Sequence, residues 1–312
     1  MRFLGPDAAS FLNALVTNDV TSLSPGLVGE AGSAGQTGEG CYAAWLSPQG
    51  RMITDLRLLR DTDAVCAEVP EGMAADLAAR FDQLIFAENV QVIDDTPDTR
   101  AVVVFGARAA DAVSAAAGVS AEDVRSLPTL GHLGDSSIRV IRTDDIALPN
   151  FLVWTPASRW EALQHALVAA GSINAPVDFL EALRIESGHP RFGVDLTPDT
   201  IPLEAGLLDR AISTTKGCYV GQEVIIRILH RGGGRVVKQL VRCAAAPGVT
   251  AVPVVGTQVF DAGRDVGVVT SAAIGPSSEQ VVALAYVHRD SAEVGRTVSL
   301  GDLPTTISAV TA

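Results

Sequence analysis

The three consecutive glycines at residues 232–234 are the feature that most restricts the fold, because the pattern of the chain changes there. Before them, helix-like and strand-like segments alternate. After them, six short apolar runs are separated by Gly, Pro and Asp, which is typical of a small all-β barrel or sandwich. We therefore predict an α and β region over residues 1–234, and a separate β domain over residues 235–312 without a long helix.

Helix-like and strand-like patterns follow each other throughout the first region. Apolar residues at helical spacing predict a helix that opens at Asp7, and two strand-like runs on either side of residues 48–50 predict a hairpin. Ser158 and Glu161 have the spacing of a helix capping box. Segment 29–40 has five glycines and no large apolar residue, which predicts a flexible loop. The first region is thus expected to be α+β.

Composition narrows the class of protein. The chain has 312 residues, 47% of them hydrophobic, which is enough for two or three domains with cores of their own. No apolar run is long enough to predict a membrane span, and the N-terminus lacks a signal-peptide pattern, so we expect a cytoplasmic protein without a membrane partner. The cysteines are far apart and show no zinc-ligand spacing, so we expect no metal site. They are Cys41, Cys66, Cys218 and Cys243.

Charge is distributed unevenly along the chain. The net charge of −13 disfavours broad attraction to nucleic acid or to anionic membranes, so no direct nucleic-acid partner is expected. Residues 216–242 nevertheless contain six basic residues and one acid. Two interpretations of this basic stretch stay open: a solvated strand and loop, or a binding site for a small anionic ligand.

The sequence KGCYVGQE, residues 216–223, opens the basic stretch. A thiol ionises readily only beside positive charge or exposed backbone N–H groups. In an extended segment Lys216 and Cys218 would lie on the same side, which favours the thiolate. Cys218 is therefore a candidate reactive thiol; the alternative is that it is a small buried apolar residue.

Two segments carry a resemblance to a known family: LRIESGHPRFGVDLTPDTIPLEAGL (residues 183–207) and KGCYVGQEVIIRILHRGGGRVVKQL (residues 216–240). Together they resemble the YgfZ branch of the folate-binding aminomethyltransferase superfamily, whose best-known enzyme is the glycine-cleavage T-protein. The resemblance implies an α+β fold, with a multi-lobe aminomethyltransferase-like folate-binding core and a C-terminal antiparallel β-barrel. It also implies tetrahydrofolate, or a one-carbon derivative, as the cofactor.

The function that the resemblance implies is support of iron–sulfur cluster assembly or repair, and hence of cluster-dependent enzymes such as tRNA-modifying ones. Its partners would be folate and the iron–sulfur assembly or client proteins, and the chain itself would more readily be a binding protein than an enzyme. The alternative is a folate-dependent aminomethyltransferase or methyltransferase of the T-protein type. A third hypothesis is a folate-binding regulator without chemistry at Cys218.

Individual site residues follow from the same resemblance. Glu186 matches the superfamily glutamate that hydrogen-bonds the pterin of folate. Asp55 lies where T-proteins carry an acidic pair, but Thr54 occupies the other position, and Cys218 replaces a T-protein Asp; both departures disfavour the aminomethyltransferase. The predicted folate-binding residues are Glu186, Asp55, Lys216, Tyr219, Arg227, His230 and Arg231, with Cys218 as the reactive thiol at the rim of the folate cleft.

Overall fold

The computed structural model describes residues 1–26, 36–135 and 137–310. The sequence predicts a flexible loop over segment 29–40. Residues 29–35 of that segment lie outside the described residues. The described residues form two antiparallel sheets with their helices, followed by a closed β-barrel. The predicted α+β class with a C-terminal antiparallel barrel is therefore confirmed.

A five-stranded antiparallel sheet opens the chain. Its elements are β1 (Arg2–Leu4), α1 (Ala8–Leu15), β2 (Gly40–Leu46), β3 (Met52–Arg60), β4 (Ala64–Glu68), α2 (Ala74–Asp82) and β5 (Gln91–Ile93). The strand order is β2-β3-β4-β1-β5. The helix predicted to open at Asp7 is α1, and the predicted hairpin is β2 with β3.

Strand β2 is buried on both faces and therefore separates two cores. Ala43 and Trp45 pack with α1 and α2 in one core. Tyr42 and Leu46, which alternate with them, belong to a central core that also receives residues of the barrel. This second face of the first sheet is the one that carries the site described below.

A four-stranded antiparallel sheet with the order β6-β9-β8-β7 follows. Its elements are β6 (Thr99–Phe105), α3 (Ala109–Ala117), α4 (Ala121–Ser126), β7 (His132–Gly134), β8 (Arg139–Thr143), β9 (Asn150–Pro156) and α5 (Trp160–Ala169). The capping box predicted for Ser158 and Glu161 is wrong. Residues Ala157–Arg159 form a 3₁₀ turn that runs into α5, so Arg159 precedes the helix, and no side chain caps it.

Three further helices connect the sheets to the barrel: α6 (Val177–Ser187), α7 (Leu208–Ala211) and α8 (Gln222–Ile226). A π-helical turn, Arg227–Arg231, continues α8 directly. The solvated strand that was one interpretation of the basic stretch is therefore wrong for this part, because residues 222–231 are helical.

The barrel contains β10 (Lys238–Ala245), β11 (Gln258–Asp261), β12 (Arg264–Ile274), β13 (Val281–His288), β14 (Thr297–Leu300) and β15 (Leu303–Val310). Its strands close in the order β10-β13-β12-β11-β14-β15. Among the described residues beyond 236, the longest helix is the three-residue turn Arg289–Ser291. Val241 and Ile307 fill the interior, whereas Leu240 and Leu284 face outward into the central core. The barrel is thus packed firmly against the preceding lobes.

Candidate functional site

A cavity of about 200 Å³ lies where the two sheets, α6 and α7 meet. Strand β3, the loop between β8 and β9, and the chain just after α6 also contribute to its wall. Its lining residues are Tyr42, Asp55, Arg57, Val103, Asp145, Ile146, Asn150, Leu180, Glu181, Arg184, His189, Pro190, Arg191 and Arg210. The cavity therefore contains charged side chains of both signs beside apolar ones.

Asp55 is held on the cavity wall by the register of the β2–β3 hairpin. Tyr42 pairs across the hairpin with Arg57, so its ring lies diagonal to Asp55 on the same face. The Tyr42 hydroxyl donates a 2.7 Å hydrogen bond to Oδ2 of Asp55. Thr54, the neighbour of Asp55, points to the opposite face and is fully buried there. The hairpin thus presents one carboxyl group, and not a pair, to the cavity.

Burial controls the protonation of Asp55. It raises the pKa of the carboxyl above its ordinary value of 3.8, although the Tyr42 hydrogen bond and the Arg57 charge oppose the shift. Burial and the neighbouring Asp55 anion also raise the pKa of Tyr42, so this hydroxyl remains a donor. Asp55 therefore keeps its proton to a higher pH than an exposed aspartate does.

Ion pairs between separate lobes fix the basic side of the cavity. Arg57 bridges Glu68 of β4, at 2.7 Å, and Asp145 of the β8–β9 loop, at 2.6 Å. Arg210 of α7 pairs with Asp144 of that loop at 2.8 Å. Because these arginines are only partly exposed and are already paired, they hold the first sheet, the loop and α7 in one arrangement.

Helix α6 supplies the carboxylate of Glu181 to the cavity and connects the cavity to the barrel. Arg184 pairs with Glu181 and with the buried Asp195, and it donates a hydrogen bond of 2.9 Å to Ser271 of β12. Although burial opposes the shift, Arg184 and Arg191 lower the pKa of Glu181. Glu181 is therefore an anion at neutral pH and faces the cavity with its neighbouring guanidinium groups.

Glu186 lies outside this cavity. It follows Arg184 by two residues, so it points to nearly the opposite side of α6. Its carboxylate accepts the backbone N–H groups of Ser277 and Ser278, at 3.0 and 2.7 Å, in the loop between β12 and β13. The structure thus gives Glu186 a role in docking the barrel, and the pterin contact implied by the resemblance stays a prediction.

Lys216 stabilises the end of α1. Its ammonium group donates hydrogen bonds of 2.5–2.9 Å to the carbonyl oxygens of Asn13, Val16 and Asn18. Carbonyls at a helix C-terminus lack intrahelical partners, and a lysine satisfies them well. Burial lowers the pKa of Lys216 to about 8, although Asp19 opposes the shift. The idea that Lys216 shares a side with Cys218 is therefore wrong, because its charge is directed at α1.

The rest of the KGCYVGQE motif is divided between core and surface. Cys218 is exposed, whereas Tyr219 is buried in the central core, where burial raises its pKa to about 12. Gly221 has φ +84°, and a Cβ there would lie 2.5 Å from the carbonyl oxygen of Ser47, so only glycine permits this close approach. An open depression runs along Pro48, Tyr219, Val220, Gly221, Gln222, Glu223 and Ile226. Cys218 does not line the cavity described above.

The remaining predicted residues lie on the helical surface that follows the motif. Arg227, His230 and Arg231 are exposed there, outside the cavity. Together with Arg235, the two arginines form no ion pair with any residue that the structure describes. Asp55 is therefore the one predicted binding residue that lines the cavity.

Sequence reasoning missed most of the cavity wall. Arg57 had a detectable signal, because it follows Asp55 by two residues within an apolar strand and must share its face. Glu181, Asp145 and Arg210 had no such signal, since they reach the cavity from separate segments.

Within the described ranges, no cluster of three or more His, Cys, Asp or Glu side chains is placed to hold a metal ion. None of the described helices is both long and apolar enough to cross a membrane.

Comparison with known proteins agrees with this architecture. The lobes and the closed barrel have the fold of the aminomethyltransferase superfamily. Residues 1–216 match the GCVT N-terminal domain, and residues 238–310 match the glycine cleavage T-protein C-terminal barrel domain. The chain belongs to this glycine cleavage T-protein family. Proteins of the family bind tetrahydrofolate.

Several relatives align with this sequence over most of its length. It is 25% identical over 305 residues to an aminomethyltransferase of Desulforamulus reducens, covering 96% of this chain and 79% of the relative. It is 27% identical to an aminomethyltransferase of Rubrobacter xylanophilus, covering 92% and 73%. The glycine cleavage system aminomethyltransferase T of Bartonella henselae has a similar structure, with a TM-score of 0.84 and 22% identity, covering 99% of this chain and 82% of that one. The relatives thus favour the aminomethyltransferase alternative, and the YgfZ branch stays a prediction.

The cavity residues suit the pterin of tetrahydrofolate. A pterin offers adjacent N–H donors on one edge, which a carboxylate accepts in parallel, and ring acceptors elsewhere. Asp55 and Glu181 provide carboxyl groups on two walls, and the arginines provide donors. Val103 and Leu180 provide apolar surface for a ring face.

Proposed function

We propose that this protein is a tetrahydrofolate-dependent aminomethyltransferase of the T-protein type. The observation that carries the proposal is the half-buried carboxyl of Asp55, which has a raised pKa and lies on the wall of the cavity. The sequence counted against this function because Thr54 replaces one acid. Since Thr54 faces the opposite core, that replacement removes no carboxyl group from the cavity.

Each residue near Asp55 has a defined task in this proposal. Bound tetrahydrofolate supplies the nitrogen atoms that accept a one-carbon unit. Asp55 holds and releases the proton that must move at such a nitrogen, because its raised pKa is closer to neutral pH than that of an exposed aspartate. The Tyr42 hydroxyl fixes the orientation of the carboxyl group, and Arg57 limits the rise of its pKa.

The test combines binding with turnover. Tetrahydrofolate is titrated by calorimetry into the wild type, Asp55→Asn and the control Asp302→Asn, whose residue is exposed in the turn between β14 and β15. With glycine-cleavage partner proteins present, formation of methylene-tetrahydrofolate is then measured. We expect Asp55→Asn to bind within a few-fold of wild type and to lose about 10²–10⁴-fold in kcat. An Asp55→Asn enzyme that turns over like Asp302→Asn contradicts the proposal.

A second candidate is the folate-binding role in iron–sulfur cluster maintenance, and one observation favours it. Cys218 is exposed, whereas Cys41, Cys66 and Cys243 are buried. Wild-type protein that binds tetrahydrofolate without any transfer turnover would favour this role. In that case, Cys218→Ser should lower the activity of cluster-dependent enzymes in cells, and Asp302→Asn should not.

A further inference from the structure

A largely buried group of four side chains joins the two sheets outside the cavity wall. The group, which we refer to as the seam, consists of Asp61 just after β3, Cys66 of β4, His132 of β7 and Arg139 of β8. Arg139 donates hydrogen bonds of 2.7 Å to Oδ2 of Asp61 and of 3.3 Å to Sγ of Cys66. The seam thus links the five-stranded sheet to the four-stranded sheet through charged and polar contacts.

The imidazole of His132 occupies a slot between two glycines. His132 exchanges two backbone hydrogen bonds of 2.9 Å with Gly38, and its ring lies against both Gly26 and Gly38. A Cβ atom on Gly38 would lie 2.5 Å from Nε2 of the ring, and one on Gly26 would lie 2.9 Å from Cε1. The ring is therefore closely packed and, with His132 only 3% exposed, shielded from solvent.

This slot favours the neutral form of His132. Nε2 lies 3.2 Å from the carbonyl oxygen of Arg60, and because a carbonyl oxygen only accepts, Nε2 carries the hydrogen of the neutral ring. A second proton would place a buried positive charge near the guanidinium group of Arg139. Burial, and after it the Arg139 charge, lowers the pKa of His132 to about 4, although Asp61 and two backbone carbonyls oppose the shift.

The acidic groups around the slot are already engaged elsewhere. Oδ2 of Asp61 pairs with Arg139, whereas Oδ1 lies 3.9 Å from Nε2 of His132 and is buried without a hydrogen-bond partner among the described residues. Burial raises the pKa of the Cys66 thiol to about 11, so the thiol stays neutral. Glu39, next to Gly38, turns its carboxylate to the backbone N–H of Ser24. A protonated His132 would therefore have to share one carboxylate with Arg139.

We propose that the seam is an acid-sensitive latch, which holds β7 on the five-stranded sheet at neutral pH and releases it as the pH falls towards 5. In the released form, His132 meets water and takes up a proton with its ordinary pKa of 6.5. Because the pKa in the closed seam is lower, the stability of the seam is lost as pH falls from about 6.5 towards 4. Between pH 7 and pH 5, these two pKa values shift the equilibrium towards the released form by about twentyfold.

The latch bears on the cavity because both sheets contribute to the cavity wall. Tyr42 and Asp55 come from the five-stranded sheet, and Val103 and Asn150 come from the four-stranded sheet. A seam that holds the sheets together at neutral pH therefore helps to keep the two sides of the cavity in one arrangement. This inference does not depend on which ligand the cavity binds.

Cys66 can report the release directly, because it is buried in the closed seam and becomes accessible when β7 moves away. The native protein is labelled with dithiodipyridine, which reacts with thiols in acid as well as at neutral pH, at several values between pH 7 and pH 5. Mass spectrometry follows each cysteine, and every rate is divided by the rate of the same cysteine in the unfolded chain at that pH. Cys243, in the interior of the barrel, reports global unfolding.

We expect the normalised Cys66 rate to rise about twentyfold from pH 7 to pH 5, while the Cys243 rate stays low. His132→Gln, which cannot take up the proton, should remove most of this rise. The control His165→Gln, which changes an exposed histidine of α5, should keep it.

Arg139→Gln provides a second variant in case His132→Gln does not fold. It removes the neighbouring cation and so raises the pKa of His132, which should make the acid-dependent rise of the Cys66 rate smaller than in wild type. The latch is wrong if the wild-type Cys66 rate does not change between pH 7 and pH 5, or if the Cys243 rate rises in parallel with it. It is equally wrong if His132→Gln or Arg139→Gln keeps the full rise.

Discussion

The cavity and the KGCYVGQE segment are built in opposite ways. The cavity gathers side chains from both sheets, α6 and α7, and its charges are paired and largely buried. The KGCYVGQE segment is continuous in sequence, yet the structure sends its side chains apart. Lys216 is bound to α1, Tyr219 is buried in the core, and Cys218 is exposed.

The difference shows that a distinctive motif is not by itself a site. Residues one or two positions apart in an irregular segment face different surroundings. The role of each residue therefore depends on its own contacts. The six basic residues of the stretch are divided in the same manner. Lys216 and Arg242 donate internal hydrogen bonds, Lys238 lies 4.0 Å from the Glu204 carboxylate, and Arg227, Arg231 and Arg235 remain exposed.

Breaking the cavity wall should have the largest effect on stability. Arg184→Met leaves the buried carboxylate of Asp195 without its cationic partner, so we expect a loss of about 3–5 kcal/mol in the free energy of unfolding. Urea denaturation measures it. The control is Arg125→Met, whose partner Asp111 is equally exposed, and it should cost about 0–1 kcal/mol. Equal losses in the two variants would mean that the cavity charges are not a buried network.

Removing the lysine of the motif tests whether that residue is structural. Lys216→Met deprives three carbonyls, in the last turn of α1 and just after it, of their donor, and we expect a loss of about 1–3 kcal/mol in the free energy of unfolding. Arg235→Met, which removes an exposed charge, should change stability by less than about 0.5 kcal/mol. If Lys216→Met is as stable as Arg235→Met, Lys216 has no structural role at the end of α1.

The half-buried carboxyl of Asp55 should make the stability of the fold depend on pH in a specific direction. The folded pKa of Asp55 lies above its unfolded value of 3.8, so the folded state holds the proton more tightly. Ionisation therefore costs stability as pH rises from about 4 towards the folded pKa. Asp55→Asn, which cannot ionise, should gain stability relative to wild type over that rise, and the difference between the two should become constant below about pH 4. A constant difference between them across pH would contradict the raised pKa.

The smallest expected effect is that of Lys216→Met on the labelling rate of Cys218. Iodoacetamide should modify Cys218 fastest at neutral pH, because burial raises the pKa of Cys41 and Cys243 to about 12 and that of Cys66 to about 11. Since Lys216 is directed at α1, Lys216→Met should alter the Cys218 rate less than about twofold. Mass spectrometry follows each cysteine, with unfolded protein as the reference. A large fall in that rate would restore Lys216 as an activator of the thiol.

Local patterns alone predicted much of the fold. The six apolar runs after residue 234 are the six barrel strands, because alternation and turn residues act over a few positions. The hairpin of β2 and β3 and the position of Asp55 on it follow in the same way. The predicted capping box at Ser158 is wrong because Ser158 lies within a 3₁₀ turn. The spacing between Ser158 and Glu161 alone does not reveal that turn.

The candidate site was decided by the tertiary structure. The family resemblance marked Asp55, and the charge distribution first marked the basic stretch, from which the resemblance then took further binding residues. Which face of α6 meets the cavity depends on how that helix packs on the barrel, and this packing turns Glu181 inward and Glu186 towards Ser278. Asp145 and Arg210 reach the cavity from segments distant in sequence, held by ion pairs that exist only in the folded chain. Periodicity fixes the neighbours of a residue along its own element, whereas the contacts between elements depend on the packing of the entire chain.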